Sequence, residues 1–103
     1  MHAALLQINP TVGALRSNAN VIIEEAHRAA EAGAELIITP ECALSGYPPE
    51  DLILKDHFCS DCQNEINRLL TKLPKHPLIL IGAPLLRNGE KRNTAVAIHN
   101  GTI

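Results

Sequence analysis

The sequence predicts an α/β fold built on a parallel sheet. Two observations carry this. Short apolar runs at Ala3–Ile8 and Ala34–Thr39 are separated by one amphipathic segment of helical length, and strand–helix–strand in about 40 residues is a βαβ unit with parallel strands. A second amphipathic segment, His57–Leu73, is then followed by another apolar run, Leu78–Gly82, which repeats the pattern.

The first run stops at Asn9-Pro10 and "TVGAL" follows as a loop. Ser17 or Asn18 can cap a helix running to about Ala32, with Gly33 as its stop. Ile22, Ile23, Ala26, Ala29 and Ala30 form its apolar face, while Glu24, Glu25 and Arg28 face water. Pro48-Pro49-Glu50-Asp51 has proline and acids where a short helical turn would start. In the second long helix Ile66, Leu69, Leu70 and Leu73 share a face, and Pro74 and Pro77 end it. Asn93–His99 alternates as a fourth strand, reached through the polar turn "RNGEKRN". Asn100-Gly101 is the strongest hairpin signal in the chain, and only two residues follow it. A chain cut in mid-hairpin is expected to be a fragment.

The chain has 103 residues, enough for one small domain. Such a domain buries about two-thirds of its surface. Hydrophobic residues are 46% and aromatic ones 2%, so the core must be aliphatic. A net charge of -2 offers no basic patch for nucleic acid or an anionic membrane. The longest apolar run, Leu78–Leu86, is broken by Gly82 and Pro84 and is too short to cross a bilayer. The start lacks the basic n-region and cleavage site of a signal peptide. Three cysteines fit a reducing compartment better than a disulfide framework. The expectation is a cytoplasmic protein.

Glu41 is the sharpest chemical signal. It follows Pro40 where the second strand runs out, and ligands of parallel sheets bind beyond the carboxyl ends of strands. A carboxylate desolvated there has a raised pKa and can take and return a proton near neutral pH. The same position also suits a surface glutamate paired with a lysine. The unalternating run Leu36–Ile38 suggests a strand covered on both faces, and Pro40 carries the chain straight off the sheet. Glu41 is then expected to point into a cavity between strand ends, away from Glu50 and Asp51. The "GYPP" turn, Gly46–Pro49, is stiff and could hold Tyr47 over those ends, or be an ordinary turn with Tyr47 on the surface.

Other candidates are weaker. "HFCSDC" contains Cys59 and Cys62 near His57, but a zinc site wants a second ligand pair and a thioredoxin-like site wants its CxxC just after a strand. Two cysteines on a helix near the core is the simpler reading, and no metal site is expected. Cys42 points away from its neighbour Glu41 on an extended chain and reads as a small buried residue. The histidines are scattered, and no glycine-rich phosphate loop is present.

Several stretches in order, "AALLQINPTVGALRSNANVIIEEAHRAAEAGAELIITPE", "LSGYPPEDLIL", "LILIGAP" and "RNTAVAIHNGTI", resemble the carbon–nitrogen hydrolase (nitrilase) superfamily along essentially the whole chain. Within it "GYPPEDL" looks like the glutaminase domain of the glutamine-dependent NAD+ synthetases, and the opening "QINPTVG" with Asn18 and Asn20 fits the same group.

The resemblance implies the N-terminal part of a four-layer αββα sandwich: residues 1–103 would be a partial glutaminase domain, truncated at the C-terminus. It implies a Glu–Lys–Cys triad in which Glu41, in "TPE", is the general base, with Tyr47 near the substrate pocket. The lysine and nucleophilic cysteine of the family lie in motifs that no lysine or cysteine of this chain matches, so the chain alone is expected to be inactive. Thr39 stands where a bulky apolar residue is common and Cys42 where an aliphatic one is.

The implied reaction is hydrolysis of glutamine, the ammonia serving ATP-dependent amidation of deamido-NAD by a synthetase domain elsewhere in the same polypeptide. No cofactor is implied for this chain; ATP and Mg2+ would belong to that domain. The expected partners are glutamine, the rest of the polypeptide and further copies in a homo-oligomer. Another small-carboxamide amidase of the superfamily, or a non-catalytic assembly module, are the rival readings.

Overall fold

The computed structural model describes residues 2–11, 14–40, 43–45, 56–87 and 90–103, with the backbone alone at 56, 57, 59, 84, 86, 87 and 90–93. The elements run β1 (Ala3–Leu5), α1 (Leu15–Glu31), β2 (Leu36–Ile38), α2 (Asp56–Lys72), β3 (Leu78–Arg87) and β4 (Glu90–Ile98). They form one sheet in the order β1-β2-β3-β4, as the α/β reading requires. The first three strands are parallel and β4 is antiparallel to β3.

Helix α2 and the end of α1 lie within a residue of expectation. Helix α1 ends in a Schellman arrangement: Ala34 N–H donates to Ala29 O at 3.1 Å and Gly33 N–H to Ala30 O at 3.0 Å. Gly33 takes φ +95°, a left-handed angle that costs a residue without Cβ little. The other end differs from expectation. Helix α1 begins at Leu15 after Ala14 and has no side-chain cap. Asn18 sits one turn inside and spends its amide on loop backbone instead, while Ser17 makes no cap bond.

In α2, Phe58, Cys62, Ile66, Leu69 and Leu73 are buried at spacings of three and four residues, so they share one stripe. They pack with Ala19, Ile22 and Ala26 of α1 over Ile37, Ile79, Ile81, Ala83, Val96 and Ile98 of the sheet. Full burial of a side chain such as Ile66 or Leu69 contributes about 1.5–3 kcal/mol. Cys62 is therefore a core residue, as the simpler reading of the CxxC expects, while the side chain of Cys59 lies outside the described residues.

The strands depart further. Strands β1 and β2 have three residues each rather than six. The pairing of β1 runs as far as Leu6, whose N–H donates to Ile38 O at 2.9 Å, and Pro40 brings no N–H to carry β2 further. Strands β3 and β4 are longer than Leu78–Gly82 and Asn93–His99. Their register runs to Arg87↔Glu90 and leaves only Asn88-Gly89 between them, a two-residue hairpin sequence. Pro84 is tolerated inside β3 because β2 pairs only as far as Leu80. Asn100 and Gly101 form the expected turn with φ of 52° and 75°, and His99 and Thr102 bridge across it.

The sheet is not covered on both faces at β2. Ile37 is fully buried under the helices, while Leu36 and Ile38 are half-buried on the opposite face. Over its described side chains that face carries three apolar rows. Ala3, Leu36 and Leu78 form one row across it, Leu5, Ile38, Leu80 and Ala97 the next, and Gly82 and Ala95 a third. Leu5 is 71% and Leu78 40% exposed. Both helices lie on one side, so β2 is buried on that side only.

Candidate active site at the carboxyl ends of the strands

Three parallel strands present their carboxyl ends together, and the chain leaves β2 through Thr39 and Pro40. Glu41 and Tyr47 lie outside the described residues, as do Cys42, the Gly46–Pro49 turn and the Pro48–Asp51 segment. The frame on either side of Glu41 is described.

Upstream, Thr39 is 8% exposed and tied to β3 three times. Its N–H donates to Leu80 O at 3.0 Å, its hydroxyl donates to the same carbonyl at 3.1 Å, and Gly82 N–H donates to the hydroxyl at 3.1 Å. An aliphatic side chain here could make neither hydroxyl bond, so the departure at Thr39 has a local reason.

Downstream, residues 43–45 form a fully buried turn. Ala43 N–H donates to Pro40 O at 3.2 Å and Leu44 N–H to Gly82 O at 3.1 Å. Leu44 O accepts from Asn18 Nδ2 at 2.9 Å. The segment bearing Glu41 is thus pinned to β3 and to α1. Buried backbone groups need such partners, and here they also set the entry and exit of a loop.

One buried acid went unremarked in the sequence. Glu65 of α2 is 9% exposed and accepts from Arg16 Nε at 3.0 and 3.2 Å and from Arg68 Nε at 2.9 Å. Arg68 also donates from Nη2 to Asn20 Oδ1 at 2.9 Å. Burial pushes the Glu65 carboxyl up, but the hydrogen bonds and charges of Arg68 and Arg16 outweigh it and hold the group below its ordinary value. A carboxylate so committed stays ionised near neutrality and is unsuited to shuttling a proton. It joins α1 to α2. The signal available in sequence was weak, because the Glu65–Arg68 spacing is that of any helix surface pair.

Hollows among the described residues include one of about 560 Å³ beside Glu65, Arg16 and Asn64, and one of about 300 Å³ between Gln63, Leu85, Val96 and Ile103. Neither is lined by residues 39–40 or 43–45. Among the described residues no group of three His, Cys, Asp or Glu side chains could hold a metal ion, and no helix is long and apolar enough to cross a membrane.

Residues 2–103 match the carbon–nitrogen hydrolase family. The chain is 42% identical over 107 aligned residues to a glutamine-dependent NAD+ synthetase of Synechocystis sp., covering 97% of this chain and 19% of that protein. It is 33% identical to one of Rhodobacter capsulatus, covering 96% and 18%. The chain thus spans about a fifth of the length of these curated relatives.

Among solved structures, a glutamine-dependent NAD+ synthetase of Acinetobacter baumannii, in complex with adenosine diphosphate, superposes with a TM-score of 0.91 at 31% identity over 98% of this chain and 19% of that one. An amidase of Nesterenkonia sp. superposes with a TM-score of 0.78 at 21% identity over 99% and 39%, a likeness of fold.

Proposed function

Because the chain belongs to the carbon–nitrogen hydrolase family, we propose that it supplies the first part of a glutaminase domain, with Glu41 as the general base. The full polypeptide would be a glutamine-dependent NAD+ synthetase. The observation that carries this reading is the 42% identity to such a synthetase over 97% of the chain. The pinned exit from β2 supports it too, since a base must be held to fractions of an ångström to act.

In this reading the nucleophilic thiol and the lysine come from the remainder of the polypeptide. A thiol is mostly protonated at neutral pH. Glu41 takes its proton, and the thiolate attacks the carboxamide carbon of glutamine. Glu41 then gives that proton to the departing ammonia, leaving a thioester. It next takes a proton from the water that hydrolyses the thioester to glutamate and regenerates the thiol. The lysine and backbone N–H groups stabilise the oxyanion of each tetrahedral intermediate. Tyr47 borders the glutamine pocket.

The ammonia amidates deamido-NAD in a synthetase domain of the same polypeptide, where ATP and Mg2+ act. The protein works in the cytoplasm as a homo-oligomer.

Glu41→Gln tests the assignment, since it keeps the shape and removes the base. In the full-length enzyme glutamine-dependent NAD+ formation should fall roughly 10²-fold or more, while formation from free ammonia persists. Unchanged glutamine-dependent turnover would refute the role of Glu41. Loss of glutamine turnover in a protein that makes no NAD+ from ammonia would favour a simple amidase.

A further inference from the structure

The backbone next to Glu41 is held more firmly than a strand-end loop requires. Thr39, two residues before it, is tied to β3 by three hydrogen bonds. Leu44, three residues after it, has both sides of its backbone engaged: the N–H by Gly82 O and the carbonyl by Asn18.

Asn18 provides the second anchor, and it is unusually committed. It is 4% exposed on the first turn of α1. Its Oδ1 accepts Thr11 N–H at 2.9 Å; Nδ2 gives one hydrogen to Thr11 O at 2.8 Å and the other to Leu44 O at 2.9 Å. A primary amide has two N–H donors, and both are used. The paired bonds to Thr11 suffice to fasten the preceding loop to the helix. The third bond reaches across 26 residues to the turn beyond Glu41, and neither helix capping nor the Thr11 loop calls for it.

We propose that Asn18 is a positioning residue for glutamine hydrolysis, setting the Glu41 carboxylate through the Leu44 carbonyl. This rests on the reading of Glu41 as the base. Removing the donor leaves a buried carbonyl without its partner, and the turn must shift to satisfy it. Proton transfer tolerates little displacement of the base, so the shift registers in turnover rather than in binding.

The test uses the full-length enzyme with Asn18→Ala, Asn18→Asp and Glu41→Gln side by side. Asp keeps the volume of Asn but turns a carboxylate oxygen toward the Leu44 carbonyl. The readouts are kcat and KM for glutamine across pH, NAD+ formation from ammonia, and hydrogen exchange in the peptide covering residues 41–45.

With either Asn18 variant, kcat for glutamine should fall roughly 10- to 100-fold with KM little changed. The acid limb of the kcat–pH profile should move, exchange over 41–45 should quicken, and ammonia-dependent synthesis should persist. Should Asn18→Ala fail to fold, Asn18→Asp decides. Unchanged kcat would overturn the proposal. So would glutamine- and ammonia-dependent activities falling in parallel with an unmoved pH profile, the mark of a purely structural residue. If Glu41→Gln is crippled while the Asn18 variants are normal, positioning fails and the base stands. If Glu41→Gln keeps its turnover, the base assignment fails and the positioning with it.

Discussion

Thr39 and Asn18 are both polar residues placed where the chain could have used something blander, and each has a partner far away in sequence. The Thr39 hydroxyl bonds to Leu80 and Gly82, more than 40 residues on. In Thr39→Val the shape is nearly kept, but the Gly82 N–H loses its acceptor. A buried donor left unsatisfied costs about 1–3 kcal/mol. Urea unfolding of the 103-residue chain should therefore show a lower midpoint with an unchanged slope; an unshifted midpoint would mean that water replaces the hydroxyl.

Such bonds are illegible in sequence because propensity is local. An asparagine near a helix start reads as a cap, and the competing demand from Leu44 becomes visible only once the turn folds back on α1. Thr39 read merely as an odd residue in an apolar run. Glu41 stands out in the sequence for the opposite reason, since a carboxylate directly after a strand-ending Thr-Pro is a pattern within three residues; Glu41, like Tyr47, lies outside the described residues.

Three of the four helix ends were read to within a residue, strand lengths were not, and the cause is physical. The period, proline stops and glycine terminus of a helix are all internal to it, as in α1 and α2. The length of a strand is set by what pairs with it. The pairing of β1 with β2 and of β2 with β3 covers three residues each, with Pro40 bringing no N–H to carry β2 further, and β3 and β4 extend each other past Pro84.

Between the helices the principal polar tie is Glu65 with Arg16 and Arg68. The Glu65 side chain is 11% exposed, Arg68 23% and Arg16 66%, so the contact to Arg16 is screened by solvent while that to Arg68 is sheltered. The folded-state pKa of Glu65 lies below its ordinary value of 4.5. A depressed carboxyl pKa adds stability that is fully present above the unfolded value and lost as pH falls through the folded one. Glu65→Gln should thus lower stability by about 1–2 kcal/mol at pH 7. The gap should narrow in acid as the native carboxylate protonates. Thermal midpoints of both proteins at pH 7 and in acid test this; a gap that widens in acid would contradict the sign.

At the scale of the molecule, the described residues form a sheet with both helices on one side and partly exposed aliphatic side chains on the other. Leu5, Ile38, Leu80 and Ala97 lie in one row across that second face. Contiguous apolar surface of this kind is rare on a stable monomer. The isolated chain should self-associate, and Leu5→Lys, which charges the row at its outer strand, should weaken association. Sedimentation across a wide concentration range would show it; a monodisperse monomer throughout would count against it.

The order of the strands also has a consequence in time. Strands β3 and β4 are joined by two residues, whereas β1 reaches β2 only after all of α1. A short hairpin closes in about 1–10 μs, while parallel pairing must first bring together segments about thirty residues apart. β1 leaves the ribosome before the other three strands and is expected to dock after the hairpin has closed. In pulsed hydrogen exchange during refolding, the amide of Val96 should gain protection before that of Leu36, and the opposite order would show that the crossover through α1 nucleates the fold.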